Sequence, residues 1–482
     1  MILRARFAAA ILLVACLGGC VVGPNYHPPT PPAGADSPLV SLNPALETPT
    51  EPPDTWWRLY SDPELDHLIQ LAFANNEDLA VAEANLSAAR ASLEEARNGL
   101  YPQTNINLGA IRGRDPTTSE IMEIGGQKPR TVWLYDDLID VSYELDLFGR
   151  VRRTLQAARA DAQAAIAARD SVKVTVAAET TRAYAEVCAI GEELAVARHS
   201  LEIATREADI FNRRLQAGGG SEFDLVRAQE VVANASAAIP PLEGQRRAAL
   251  FQLTALVGQT PSHAPFEAEA CVTPPRLFSL VPVGDGASLL RRRPDVRLAD
   301  RRLAAAIARV GVATADLYPR ISLTAFYGGA APFLNQLASN PGLVWGVGPK
   351  INWTFPNQVG VRARIHYASA QSDAALASFD STVLQALKET EQSLTTYGHE
   401  LDHRQSLANA QDKARRALDM ANGQFAAGAA SPLDVLTSEQ AVVSADAAVA
   451  ASDAALIQDQ VSVFKALGGG WASSTSSSAA GK

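Results

Sequence analysis

Methionine, cysteine and histidine are scarce in this sequence: its 482 residues hold 3 Met, 4 Cys and 7 His. The methionines, Met1, Met122 and Met420, are scattered, so the sequence has no methionine-rich relay for a soft metal ion. Two cysteines lie beyond Cys20, namely Cys188 and Cys271. They are 83 residues apart and fit no metal-ligand spacing, and the expectation is two free thiols. Long apolar runs are missing too. Ala441 to Gln458 comes closest, but Asp446 and Asp453 interrupt it, so no transmembrane helix is expected. The balance of charge is −10, which argues against nucleic acid as a partner. No cofactor is implied by any motif.

The first residues are informative. Arg4 and Arg6 precede an apolar stretch from Phe7 to Leu17, which is too short to span a bilayer and has the form of a secretory signal peptide. It ends Leu17-Gly18-Gly19-Cys20, which resembles a bacterial lipobox, where the Cys becomes the acylated N-terminus. Val21 follows in place of the Asp that retains many such lipoproteins at the inner membrane, so the expected anchor lies in the outer membrane. The expected organisation is a signal peptide (1–19), a lipidated Pro-rich extended tether with no core of its own (20–61), repeat 1 (62–272), repeat 2 (273–470) and a flexible tail (471–482).

The repeat is read directly. Asp78-Leu79 and Leu100-Tyr101-Pro102 recur as Asp295-Val296 and Leu317-Tyr318-Pro319, at an offset of 217. Asp170-Ser171, Glu179-Thr180 and Ala217-Gly218 recur as Asp380-Ser381, Glu389-Thr390 and Ala427-Gly428, at an offset of 210. Such a period is too long for a solenoid of small units and marks an internal duplication. Each copy reads helix, strand, strand, long helix, long helix. Ala-rich helices are expected over Glu64 to Leu100 and Ala287 to Leu317, each ended by Tyr-Pro.

Strand patterns follow in both copies. From Trp133 to Leu147 the odd positions are Trp133, Tyr135, Ile139, Val141, Tyr143, Leu145 and Leu147, broken once by Asp137, while Asp136, Asp140, Ser142 and Glu144 take even positions. An apolar face tipped with aromatics against a polar face fits a membrane β-barrel strand, and a half-buried sheet of a soluble domain alternates in the same way. Arg150 to about Arg198 is Ala-rich and free of proline, with a narrow apolar stripe through Leu155, Ala158, Ala162, Ile166 and Val172; this is a long helix packed in an array. Four strands cannot close a barrel, so transmembrane strands would require several chains.

These residues resemble the TolC-type outer-membrane efflux channels, in particular their NodT-like lipoprotein subgroup. The matching segments are Cys20 to Tyr26, Asp146-Leu147-Phe148-Gly149-Arg150, Arg292-Arg293-Pro294-Asp295-Val296, Ala315-Asp316-Leu317-Tyr318-Pro319 and Lys465 to Trp471. The resemblance implies an α+β membrane protein, a homotrimer whose twelve strands, four per chain, form one barrel continuous with a twelve-helix periplasmic α-barrel and an equatorial mixed region. It also implies outer-membrane lipid, a periplasmic adaptor and an inner-membrane pump as partners, and passive conduction rather than catalysis. A protein-secretion duct of the same fold and a structural envelope-spanning lipoprotein are the rival readings; aromatic-tipped strands speak against the second. Relatives carry a Phe-Asp-Gly-Gly-like turn after the fourth strand, where this chain has Phe355-Pro356-Asn357-Gln358-Val359-Gly360.

Candidate sites divide by chemistry. His399-Glu400-Leu401-Asp402-His403 matches the HExxH zinc-protease pattern, but no third ligand follows at a customary spacing; it is read as a solvated helix-turn segment near the tip of the second hairpin, with no metal. Gly218, Ser221 and Asp224, with Gly428, Ser431 and Asp434, read as helix stops followed by capping boxes. By resemblance these loops are adaptor contacts, and Asp412 and Asp402 are candidates for the periplasmic aperture. Mass spectrometry of the purified protein checks the anchor: the mature N-terminus is expected at Cys20 carrying acyl chains, and an unmodified terminus elsewhere refutes it.

Overall fold

The computed structural model describes residues 21–41, 47–48, 50–114, 123–126, 128, 131–277 and 280–469. Cys20, the signal segment 1–19 and the tail 471–482 lie outside the described residues. In chain order the elements are β1 (Glu47–Thr48), a 3-10 turn (Trp56–Tyr60), α1 (Pro63–Asn75), α2 (Glu77–Asn98), β2 (Gln103–Gly113), β3 (Val132–Leu145), α3 (Arg150–Gln216) and α4 (Glu222–Leu256). After two 3-10 turns come β4 (Val281–Pro282), α5 (Gly286–Arg292), α6 (Pro294–Ala315), β5 (Arg320–Ala331), β6 (Leu343–Asn352), α7 (Val359–Ala426) and α8 (Pro432–Ala466), with two further 3-10 turns between β5 and β6. The expected order of helix, strand, strand, long helix, long helix therefore occurs twice. At ~1.5 Å per residue, α3 and α7 are each about 100 Å long.

Each of the two expected first helices is broken. Asn76 and Arg293, 217 residues apart, both leave helical geometry, with φ/ψ of −70°/125° and −62°/120°. Both side chains turn to the last carbonyls of a returning helix: Asn76 Nδ2 donates to Leu256 O at 3.0 Å, and Arg293 Nη1 donates to Ala466 O at 2.7 Å. Leu256 and Ala466 are themselves 210 residues apart. Helix ends leave carbonyls without intrahelical partners, and here the break in one helix supplies the donor to another. Asn76 Oδ1 also caps α2 through Leu79 N at 3.1 Å, while Arg293 holds Asp295 and Glu389.

Two compact units arise, and each takes pieces from both copies. The first comprises Leu86–Ala165, Ala299–Phe379 and the N-terminal residues as far as Pro29; the second comprises Thr30–Asn85, Ile166–Leu298 and the rest. The second contains the main core, in which Leu65, Leu68, Ile69 and Ala72 of α1 meet Leu250, Leu253, Val461 and Phe464. Trp56 stacks on Phe464 at 4.7 Å. Here α3 departs from the narrow stripe expected of it: Val176, Ala177, Ala178, Ala183, Tyr184, Ala185, Val187 and Cys188 are all buried. A helix surrounded by neighbours needs small apolar residues on every face. Helix α8 is long and apolar enough to cross a membrane by composition alone, but Asp446 is paired with Arg415 and Asp453 with Arg404 and Arg276.

Cys188 and Cys271 are not free thiols; they form a disulfide, with Cα atoms 4.8 Å apart. The two are 83 positions apart across a hairpin, in which α3 runs out and α4 runs back, so the two ends meet. Sequence separation did not reveal this because the hairpin folds the distance in half. The proline-rich N-terminal segment is likewise not a free tether. Ala35 and Leu39 are buried, and the backbone N–H groups of Val40 and Ser41 donate to Glu391 at 2.7 and 2.9 Å.

In the first unit the four long strands form one antiparallel sheet of order β2-β3-β5-β6. Its register sorts the faces. One carries the rows Ile106–Ile139–Tyr327–Trp345, Thr104–Val141–Ala325–Val347 and Leu145–Ile321–Ile351; the other carries Asn105–Asp140–Phe326–Gly346 and Glu144–Ser322–Lys350. Asp137 falls on the apolar face, where its Oδ1 accepts the Gly329 N–H at 2.5 Å, so the interruption seen in the sequence is satisfied by the neighbouring strand. Trp133 stacks on Tyr135 at one end of the sheet, and Trp353 on Phe355 at the other. Among the described residues the outer edges of β2 and β6 have no partner strand. Replacing Val141 by Arg is expected to cost ~2–4 kcal/mol if the apolar face meets lipid near the bilayer midplane, and reversible unfolding in lipid vesicles measures it.

Candidate functional site: the two hairpin tips

The tips of the long hairpins are built from the same local rules. At the end of α3, Gly218 N donates to Leu215 O at 3.0 Å and Gly219 N to Arg214 O at 3.0 Å. At the end of α7, Gly428 N donates to Phe425 O at 3.0 Å and Ala429 N to Gln424 O at 2.8 Å. These are Schellman closures, which need a residue in left-handed geometry. Gly218 and Gly428 supply it, with φ of +75° and +73°, and a Cβ placed on either would meet no atom within 4 Å. Both positions are therefore open to approach.

The following caps differ. Ser431 and Asp434 form the full reciprocal box: Asp434 N donates to Ser431 Oγ at 3.3 Å, and Ser431 N donates to Asp434 Oδ2 at 2.8 Å. In the first copy Ser221 Oγ accepts from Phe223 N at 3.2 Å, but Asp224 does not reach back, so the expected second capping box is only half formed. The Ser431 hydroxyl and N–H hold the Asp434 carboxyl below its ordinary pKa. Arg214 of the first tip lies over the Phe425 ring of the second at 4.8 Å, a cation–π contact joining the two.

A feature missed in the sequence lies near the tips. Glu439 of α8 lies beside Glu207 of α3, whose Oε2 is buried without a hydrogen-bond partner. Burial first, then the neighbouring Glu207 carboxylate, push Glu439 up to about 8. No local signal marked it, since Glu439 stands between Ser438 and Gln440 on a mixed stretch.

The other candidates are placed differently from expectation. His399 to His403 lies well inside α7, far from its end at Ala426, so this is not a tip segment. The reason is that α7 continues unbroken where a turn was expected. Glu400 is taken up by His403 Nδ1 at 3.2 Å and by Ser452 Oγ. Among the described residues no group of three or more His, Cys, Asp or Glu is placed to hold a metal ion. Asp402 is exposed on α7; Asp412, also exposed there, lies 3.8 Å from Lys413.

The family motifs join the two copies at the sheet. Asp146 accepts the N–H groups of Val151 and Arg152 at 3.0 and 2.9 Å, capping α3. Phe148 stacks on Tyr318 at 4.5 Å. Where relatives have Phe-Asp-Gly-Gly, Trp353 Nε1 and Gln358 Nε2 each donate to Leu317 O at 3.0 Å, so the altered turn is still tied to the end of the preceding helical segment.

A two-faced antiparallel sheet and two helical hairpins of this length are the elements of an outer-membrane channel subunit. Residues 68–259 and 287–469 match the family described as outer membrane efflux protein, and the chain belongs to that family. It is similar to the pyoverdine export outer membrane protein OpmQ of Pseudomonas putida, 31% identical over 92% of this chain and 94% of that protein. It is also similar to nodulation protein T of Rhizobium leguminosarum, 29% identical over 97% and 94%. Among solved structures, the outer-membrane channel OprN superposes with a TM-score of 0.85 at 33% identity, over 94% of this chain and all of that one. The open state of the Neisseria gonorrhoeae MtrE channel gives 0.81 at 24% identity, over 94% and 99%. The chain is thus an efflux component of a Gram-negative outer membrane with a TolC-like fold, and its family members are channels.

The carboxyl pair has a pH consequence. Because the folded Glu439 pKa is raised above its ordinary value of 4.5, the folded state binds more protons between 4.5 and about 8, and stability falls as pH rises through that window. Glu439→Gln is expected to flatten this fall, leaving the hairpin ends better protected than wild type at pH 9. Amide hydrogen exchange of α3 and α8 measured across pH checks it, and an unchanged profile refutes it.

Proposed function

We propose that three copies of this chain assemble into one channel, joining the free edges of β2 and β6 into a twelve-stranded barrel anchored in part through acylated Cys20. The supporting constraint is that unpaired strand edges are not tolerated in a bilayer. The channel conducts small molecules passively from an inner-membrane pump through a periplasmic adaptor, and catalyses no reaction. OpmQ is named for pyoverdine export, which makes pyoverdine one cargo to examine first. The repeats 62–272 and 273–470 form the working body, behind the extended segment 20–61.

The observation that carries the docking part is the pair of open left-handed glycines, Gly218 and Gly428. Lacking a Cβ, each lets a partner helix tip reach the backbone closely. Ser221 and Asp224, and Ser431 and Asp434, hold the following turns, and two tips per chain offer six sites per trimer. Asp412 and Asp402 are proposed at the periplasmic aperture, Asp412 first.

Gly218→Trp and Gly428→Trp are expected to abolish efflux and adaptor crosslinking while the trimer still inserts. Gly218→Ala and Gly428→Ala impose the same left-handed strain without the bulk and are expected to keep most efflux. A susceptibility assay in a strain dependent on this channel, with crosslinking in parallel, checks both. Normal pumping and crosslinking by the Trp variants would place the adaptor elsewhere.

A further inference from the structure

The N-terminal strap brings a cationic pocket to the foot of the strands. Arg153, on the first turn of α3, is 3% exposed, yet no carboxylate pairs with it among the described residues. Its guanidinium donates only to neutral oxygens: Val22 O at 3.1 Å, Gly23 O at 3.1 Å, Asn25 Oδ1 at 2.9 Å and Gln156 Oε1 at 3.0 Å. Burial alone pulls its pKa down. The site is held tightly: Gly23, at φ +83°, would place a Cβ 2.6 Å from Gly311 Cα, and a Cβ on Gly311 would lie 2.7 Å from Arg153 Nε. Two glycines thus let strap, α6 and guanidinium close on one another.

Beside Arg153 lies a cavity of about 360 Å³, also lined by Asn25, Tyr26, Arg159 and Arg301. Arg159 is exposed. Arg301 lies over the Tyr26 ring at 5.4 Å and pairs with Asp300, which also accepts the Tyr26 hydroxyl. Asp300 is therefore already committed, and the cavity keeps a positive excess from Arg153 and Arg159. A buried charge without a counter-charge is costly, so an anion there would be favoured.

The position suggests which anion. β3 ends at Leu145 and α3 begins at Arg150, so Arg153 and Arg159 stand only ~5 and ~13 Å along the helix from its strand-side end. Helical side chains lean toward the N-terminus, which for α3 is the sheet, and arginine heads reach toward a polar interface. The headgroup layer extends roughly 5–7 Å beyond the hydrocarbon. Val21 packs against Gly149 at the same level, as a Cβ on that glycine would lie 2.8 Å from Val21 Cγ1.

We propose that the Arg153–Arg159–Arg301 pocket binds the phosphate of a membrane phospholipid, fastening strap and helices to the periplasmic leaflet. Arg153 and Arg159 supply the charge; Tyr26 and Asn25 shape the wall. The inference rests on the proposed assembly of the strands into a trimeric barrel, and the trimer mass in the same experiment reads that condition separately.

The test is native mass spectrometry of the full-length purified protein with dioctanoyl-phosphatidylglycerol, dioctanoylglycerol or inorganic phosphate. One phosphatidylglycerol per chain is expected, with none of the phosphate-free lipid. Arg159→Gln, an exposed position that leaves the fold intact, is expected to weaken binding about tenfold, as loss of one charge-assisted contact does. Arg153→Gln is expected to weaken it further, and if that variant fails to assemble, Arg159→Gln carries the test. Equal lipid binding by an intact Arg159→Gln trimer, or no binding by wild type, overturns the proposal. Displacement of the lipid by inorganic phosphate at the same concentration would make this a soluble-anion site and overturn the lipid assignment.

Discussion

Every helix that ends inside this protein must find donors for its last carbonyls, and two junctions meet that demand for both hairpins. Asn76 and Arg293 stand at breaks between short helices and reach the ends of α4 and α8 through Leu256 O and Ala466 O. Both are 6% exposed, so water is not available in place of either donor. The duplication conserved the role and changed the chemistry. The first copy uses a neutral amide; the second uses a guanidinium that also satisfies Asp295 and Glu389 at 2.7 and 2.8 Å. Removing the amide would lose hydrogen bonds. Removing the guanidinium would also leave two carboxylates facing each other, which is the more severe loss.

A second set of contacts serves the sheet. Asp146 caps α3, and Arg150 pairs with Glu144, whose row also holds Ser322 and Lys350 on the polar face. The stacked Phe148 and Tyr318 come from different copies and different corners: Phe148 lies between β3 and α3, and Tyr318 between α6 and β5. Motifs that look like separate signatures along the chain are thus neighbours in one unit. The strap belongs here too: Val22 N donates to Phe148 O at 3.2 Å, so the residues after Cys20 are fixed to the same corner.

Much of the site was legible, because its causes are local. A left-handed glycine followed by serine is written in four or five residues, and both tips close as that pattern requires. Asp224 shows the limit of such reading. It has the spacing of its counterpart Asp434, yet its carboxylate does not reach back to Ser221, since an exposed side chain free of packing can turn to water. HExxH gives the converse lesson: the spacing is present, but the surrounding helices commit Glu400 to His403 and Ser452. The Glu207–Glu439 pair joins α3 to α8 across more than 200 residues, and no local pattern announces it.

The sequence by itself determined the duplication, the order of elements, the two faces of each strand and the helix stops, because periodicity, glycine and capping residues act within a turn or a strand. It also carried enough motif spacing to indicate the family. Tertiary structure alone decided which distant groups meet. Cys188 finds Cys271 because a hairpin returns on itself; α3 from Val176 to Cys188 is largely buried because it lies in the main core; and Arg153 lies under a strap read from sequence as an extended tether. Those outcomes depend on which faces pack, and a side chain's partner across a hairpin is set by the path of the whole chain rather than by its neighbours in sequence.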